Sequence, residues 1–153
     1  MTRPTRDNTL MRQAQIVGER STCARAHVGV VIAMNARVVS QGYNGAPAGM
    51  THCDHNCQCQ RNEKWGIQHE FHCPEVKGCT VAVHAEANAV AFAARYGVIT
   101  NGSDLYTTLA PCLPCAQLII NAGIIRVVFA KPYRFDTGIN LLMDAGIPTV
   151  YYS

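Results

Sequence analysis

His84, Glu86, Cys112 and Cys115 are the residues of this chain best equipped for chemistry, set in the segments His84-Ala85-Glu86 and Pro111-Cys112-Leu113-Pro114-Cys115. One imidazole and two thiolates suit Zn²⁺, and three protein ligands leave the fourth tetrahedral position open for water, as in catalytic zinc sites. Glu86 is a carboxylate outside that ligand set, two residues beyond the histidine, where it can move protons beside the metal. A closed four-ligand zinc with Glu86 on a solvated helix face is the bland alternative, and it leaves the carboxylate unexplained. The Cys-x-x-Cys pair alone fits redox, structural-metal or catalytic roles. The His-x-Glu upstream and the proline directly before Cys112 remove that ambiguity.

Such residues need rigid elements to hold them. His84 to Tyr96 is alanine-rich and strongly helical, with Gly97 at its C′ position. Cys112 to Ala122 reads as a second helix closed by Gly123, with Pro114 tolerated in its first turn. Two residues three apart in a first turn point the same way, and helix N-termini favour thiolate over thiol. Two helix starts facing each other would therefore hold the metal.

Elsewhere, a first helix is expected from about Thr9 to Arg20, capped by Asp7 or Asn8, with Leu10, Ala14 and Val17 on one face. His27 to Ala33 and Arg37 to Tyr43 read as an antiparallel hairpin around Met34-Asn35-Ala36. Strands are expected at Leu105–Thr108, Ile125–Ala130 and Ile147–Tyr152, with a helix at Thr137–Ala145. Strand–helix alternation after residue 80 argues for parallel strands covered by helices.

With 153 residues the chain reads as a single domain, 1–153, carrying a Cys/His-rich insertion at about 50–80. No apolar run approaches the roughly 20 residues of a membrane span, and the polar start lacks the apolar stretch of a signal peptide. The expected compartment is the cytoplasm. A net charge of +3 suits an anionic small molecule and does not call for nucleic acid. Cys53, Cys57, Cys59, Cys73 and Cys79 share the insertion region with His52, His55, His69 and His72. In a secreted protein this would read as a disulfide framework; without a signal peptide, metal binding is the better account, with unligated thiols as the alternative. A loop this long is unusual unless it is functional or cross-linked.

The pattern H-x-E…P-C-x-x-C is the known signature of zinc deaminases acting on nucleobases. From about residue 9 onward the chain further resembles the deoxycytidylate (dCMP) deaminases of bacteria and bacteriophages. The matching stretches include Arg20-Ser21-Thr22-Cys23, Val28-Gly29, Gly42-Tyr43-Asn44-Gly45-Ala46-Pro47, His52-Cys53 and Gly78-Cys79. The resemblance implies a cytidine-deaminase-like α/β fold, three layers (α/β/α) around a mixed, roughly five-stranded sheet. It implies hydrolysis of dCMP to dUMP and ammonia, feeding dTMP synthesis. His84, Cys112 and Cys115 would hold catalytic zinc and Glu86 would act as acid and base. It also implies a second, structural zinc on Cys23, Cys53 and Cys79, with a fourth ligand among Cys57, Cys59, His72 and Cys73, His72 being preferred. Asn44 would contact the deoxyribose, with Ala85 and Tyr133 beside the pyrimidine. Arg25 is the candidate phosphate ligand, since an anionic phosphate suits a guanidinium. Regulation by dCTP with Mg²⁺ and by dTTP is implied at a loop around Gly42, Gly45 and Pro47, in a homo-oligomer, a hexamer in many members. For several of these residues a structural role competes: Asn44-Gly45 is also a natural turn, and a single aromatic such as Tyr133 packs as readily as it binds.

Three other readings stay open at this point. One is a dCMP-like deaminase tuned to a 5-modified pyrimidine. Another acts on a base in tRNA or single-stranded DNA, which should bring a basic face that 13 Lys+Arg against 10 Asp+Glu do not provide. The last is a non-catalytic zinc-binding interaction module.

Overall fold

Thr5 starts the first helix. In the computed structural model, which describes residues 2–23, 26–50, 52 and 82–153, helix α1 spans Arg6–Gly18. The Thr5 hydroxyl oxygen accepts from the Asn8 N–H at 3.1 Å, an N-cap bond. The expected caps, Asp7 and Asn8, lie inside the first turn instead. Asp7 is engaged elsewhere, since its carboxylate accepts from Arg126 at 2.6 Å and from the Tyr106 hydroxyl at 2.7 Å. This tertiary pairing fastens α1 to the sheet and lowers the Asp7 pKa through the Arg126 hydrogen bond.

The sheet has five strands in the order β2-β1-β3-β4-β5, where β1 is Gly29–Met34, β2 Arg37–Tyr43, β3 Asp104–Thr107, β4 Arg126–Phe129 and β5 Thr149–Tyr151. Strand β1 is antiparallel to both neighbours, and β3, β4 and β5 are mutually parallel. The hairpin turn has positive φ at Asn35 and Ala36 (51° and 62°), as a two-residue turn of the type I′ kind requires. Helices α2 (Ala85–Arg95), α3 (Leu113–Asn121) and α4 (Thr137–Asp144) are the other helices among the described residues. The sheet is mixed, as expected, and each strand sits within a few residues of its expected span.

Val30, Val31 and Ile32 are all fully buried, so β1 carries core on both faces and reads as a continuous apolar run. On one face Val30, Ile32, Leu105 and Val127 pack with Ala85, Ala89, Ala116, Ile119 and Leu142 of α2, α3 and α4. On the other, Val31, Ala33, Tyr106 and Val128 pack with Leu10, Met11, Ala14 and Val17 of α1. Three layers result, with one described helix on one side and three on the other. Among the described residues no helix is long and apolar enough to cross a membrane.

Candidate zinc site and nucleotide pocket

His84 and Cys112 are the N-cap residues of α2 and α3, each with extended backbone (ψ 153° and 170°) and no side-chain cap hydrogen bond. Neither side chain serves its own helix. They meet each other instead, with His84 Nδ1 3.4 Å from Cys112 Sγ and 3.3 Å from Cys115 Sγ. All three ligand atoms lie within 4.8 Å of one another. Zinc bonds of about 2.3 Å to sulfur and 2.0–2.1 Å to nitrogen, at tetrahedral angles, place N and S about 3.5 Å apart. The donor set and its spacing fit that ion.

Two close approaches bring these helix starts into place. A Cβ on Gly42 of β2 would lie 2.4 Å from the Ala85 carbonyl oxygen and 2.5 Å from the Ala89 nitrogen, so α2 sits directly on β2. On Gly138 of α4 a Cβ would lie 2.9 Å from the Cys112 carbonyl oxygen and closer still to that of Pro111. The backbone of α4 thus supports the turn that presents Cys112.

Electrostatics follow from the crowding. The hydrogen bond with Cys115, reinforced by His84, holds the Cys112 thiol down to about 4. The same bond and burial push Cys115 well up, so without a cation the pair carries one negative charge, not two. Only a cation such as zinc makes two thiolates favourable side by side. His84 is raised, chiefly by its hydrogen bond with Cys112. Glu86 is only 4 % exposed, and burial pushes its carboxyl above the usual range. A buried carboxyl held partly toward its neutral form is suited to taking up and returning protons.

These groups open onto a cavity of about 290 Å³ at the carboxyl ends of the parallel strands. His84, Ala85, Glu86 and Cys112 line it on one side, and Leu109 and Ala110 continue from β3. Tyr133 and Arg134 follow β4, while Val28, Asn44, Cys23 and Ala26 close the remaining wall. Cys115 is buried.

Asn44 has both ends of its amide engaged: Oδ1 accepts from the Val28 N–H at 2.8 Å and Nδ2 donates to the Ala26 carbonyl at 2.8 Å. Its own carbonyl accepts from the Ser21 hydroxyl at 2.8 Å. It therefore fixes the 26–28 wall, while one Oδ1 lone pair and one N–H remain for a ligand. Gly42 and Gly45 line a different cavity, about 420 Å³, between β2 and α2. The Gly45 N–H and carbonyl both pair with Val83. Pro47 accepts from the Met50 N–H at 3.0 Å. Arg25, Cys53, Cys57, Cys59, His72, Cys73 and Cys79 lie outside the described residues. Arg134 is a pocket residue that sequence reasoning missed, as are Ala26, Ala82, Leu109 and Ala110; it belongs to no motif, and only the course of the chain after β4 brings it here.

A sheet with this strand order, carrying one imidazole, two thiols and a buried carboxyl at two helix starts, defines a cytidine-deaminase-like protein. Residues 4–131 match the cytidine and deoxycytidylate deaminase zinc-binding region, and the chain belongs to that family. It is 39 % identical over 131 residues to the deoxycytidylate deaminase of a Mycobacterium phage, covering 86 % of this chain and 98 % of that one. It is 35 % identical over 152 residues to the deoxycytidylate deaminase of Saccharomyces cerevisiae, covering 99 % of this chain but only 46 % of the yeast protein. The dCMP deaminase of cyanophage S-TIM5, solved with dCMP and dUMP, superposes with a TM-score of 0.80 at 26 % identity, over 99 % of this chain and 100 % of that one.

Proposed function

We propose that this chain hydrolyses dCMP to dUMP and ammonia, with zinc held by His84, Cys112 and Cys115. The observation that carries the proposal is the buried Glu86 carboxyl beside the three-ligand triangle at the floor of a nucleotide-sized cavity. Relatives named as deoxycytidylate deaminases, and a structural neighbour solved with dCMP and dUMP, support the choice of substrate. Zinc bound there would supply Lewis acidity that makes water nucleophilic near neutral pH. Glu86 takes the proton of the water that attacks C4 and delivers it to the adjacent ring nitrogen; it then takes the proton of the new C4 hydroxyl and gives it to the amino group, which leaves as ammonia as the C4–N bond breaks and the C4 carbonyl forms. Ala85, Leu109 and Ala110 bound the site with apolar surface, and Tyr133, which lines the same cavity, would cover the pyrimidine. Asn44 holds the wall and offers its remaining amide valences to the sugar. The test is a panel of cytidine, CMP, dCMP, dCTP and 5-modified dCMPs, followed by product and ammonia release. Selective turnover of dCMP is expected, and preference for another member would replace the substrate assigned here.

The proposal has three finer parts. A second zinc would use Cys23, Cys53, Cys79 and His72; its support is the spacing of those residues in the sequence. Self-association is supported by the exposed Phe92 and Tyr96 rings on α2, with centroids 5.8 Å apart, beside the cavity that Gly42 and Gly45 line. Control by dCTP with Mg²⁺ and by dTTP is assigned to that Gly42–Pro47 loop, on the family resemblance. Sigmoidal dCMP kinetics that become hyperbolic with dCTP and Mg²⁺ are expected, and indifference to both triphosphates would remove this part.

A further inference from the structure

We propose that the cleft between the start of α1 and the β1–β2 turn is a separate anion site, in which Arg3, Arg6 and Arg37 bind a chain of linked phosphates. The inference does not depend on the dCMP reading. The cleft lies on the α1 face of the sheet, whereas the zinc triangle and the Gly42–Gly45 cavity lie on the face that α2 covers.

Placement gives the first argument. The cleft is open and about 770 Å³ in volume. Arg6, Leu10 and Gln13 recur at i, i+4 and i+7 on α1, so they form one stripe along the cleft. Leu10 is buried, while Arg6 and Gln13 stay exposed. Arg37 and Val38 open β2 and line the same space, and Arg3 joins them from the segment before the Thr5 cap. Two of the three arginines stand on fixed backbone. Arg6 follows the Thr5 cap, whose carbonyl accepts from the Thr9 N–H at 3.1 Å. Arg37 pairs with Met34 across the hairpin.

Charge gives the second. No carboxylate stands among the described lining residues. Asp7, adjacent to Arg6 in sequence, is engaged by Arg126 and Tyr106. Arg126 thus has acidic partners, whereas Arg3, Arg6 and Arg37 have no hydrogen bond or ion pair to any described residue. Three like charges around one concavity leave a positive potential that a dense anion relieves. The Thr5 and Thr9 hydroxyls already donate within α1, to Asn8 Oδ1 and to the Thr5 carbonyl, so the guanidiniums are the principal donors left for a ligand. A guanidinium fork pairs two phosphate oxygens at once, and linked phosphates offer a separate oxyanion to each fork. One carboxylate would satisfy a single fork and leave two. A nucleic-acid backbone calls for a longer basic track, and a net charge of +3 does not supply one.

The experiment titrates inorganic tripolyphosphate into the zinc-loaded chain by calorimetry. Wild type is compared with Arg3→Gln, Arg6→Gln, Arg37→Gln and the triple variant, with folding checked by circular dichroism and melting temperature. Each single substitution should weaken tripolyphosphate by up to roughly fivefold, the size of one exposed ion pair, and the losses should multiply in the triple variant. Wild-type affinity should fall steeply with added salt, and that dependence should flatten in the triple variant. Orthophosphate should bind more weakly than the chain. A nucleoside triphosphate, titrated into the same two proteins, distinguishes the sources. A loss equal to that for tripolyphosphate means that the phosphates alone are read, and a larger loss means that the attached nucleoside is read with them. No binding of tripolyphosphate, or binding unchanged in the triple variant, would overturn the site. Tighter binding of a single-stranded oligonucleotide or a polyglutamate peptide, lost in the same variant, would overturn the assignment to linked phosphates.

Discussion

Glu86 is chemically isolated in a way that makes its role testable. The other titratable side chains of the described pocket wall are His84 and Cys112, committed to the metal triangle, and Cys23, Tyr133 and Arg134. None of these is a carboxyl, so none replaces Glu86 in moving a proton between water and the pyrimidine. Glu86→Gln keeps the volume and removes the proton shuttle. Turnover should fall by about 10²–10⁴ while zinc content and melting temperature stay at wild-type levels; near-normal turnover would remove Glu86 from the mechanism. Asn44 calls for a different measurement, because both sides of its amide serve the 26–28 wall. Asn44→Ala leaves the buried Val28 N–H without its partner and should cost about 2 kcal/mol of stability. A stable variant with impaired dCMP binding would show that the sugar contact outweighs the structural one. At this scale the sequence was informative where ligands lie at local helix starts, as with His84, Cys112 and Cys115. Arg134 escaped because its place depends on where β4 ends, which no spacing records.

The elements that matter most are α2 and α3, since each delivers a ligand from its N-cap. Their positions are enforced by backbone contact at Gly42 and Gly138, where a methyl group has no room. Gly138→Ala should push the Pro111–Cys112 turn off α4, and its first sign should be weaker zinc retention, measured by competition with a chromogenic chelator, rather than loss of helix. Unchanged zinc affinity would mean that the turn is held by other contacts. On the opposite face, α1 is pinned by Asp7 to Arg126 and Tyr106. The folded pKa of Asp7 is lowered, so its contribution is full above the unfolded value near 4 and is lost as pH falls through the folded value. Asp7→Asn should cost about 1 kcal/mol at neutral pH, given that the pair is about one-third exposed and screened. Denaturant titrations should show the gap between the two proteins closing below about pH 4; a constant gap would deny the ion pair its role. Periodicity located the helices and strands well, yet it misassigned the cap of α1. Asp and Asn cap as well as Thr, and only the distant Arg126 claims Asp7.

As a whole molecule, the protein joins an antiparallel hairpin to parallel βα units, and the zinc triangle lies across that seam: His84 precedes α2 on the hairpin side, Cys112 and Cys115 belong to the β3–α3 unit. The mixed sheet was readable from the hairpin turn and the later strand–helix alternation. The asymmetry of the layers, α1 against three helices among the described residues, was not, because an amphipathic helix pattern does not say which face of a sheet it covers. A metal bridging the seam stabilises the folded state by RT ln(1 + [Zn]/Kd), so its removal should lower the melting temperature as well as abolish activity. At free zinc 100-fold above Kd that linkage is worth about 2.7 kcal/mol. Stripping the protein with a strong chelator and adding zinc back should restore both properties, and the stoichiometry of the return is decisive. Two zinc ions per chain, with the first equivalent restoring only part of the activity or stability, fit a catalytic triangle plus a separate site on Cys23, Cys53, Cys79 and His72. Cys79→Ser should then lose one ion and keep the other, retaining measurable turnover at reduced stability. One ion per fully active chain would leave the catalytic triangle standing and eliminate the second site.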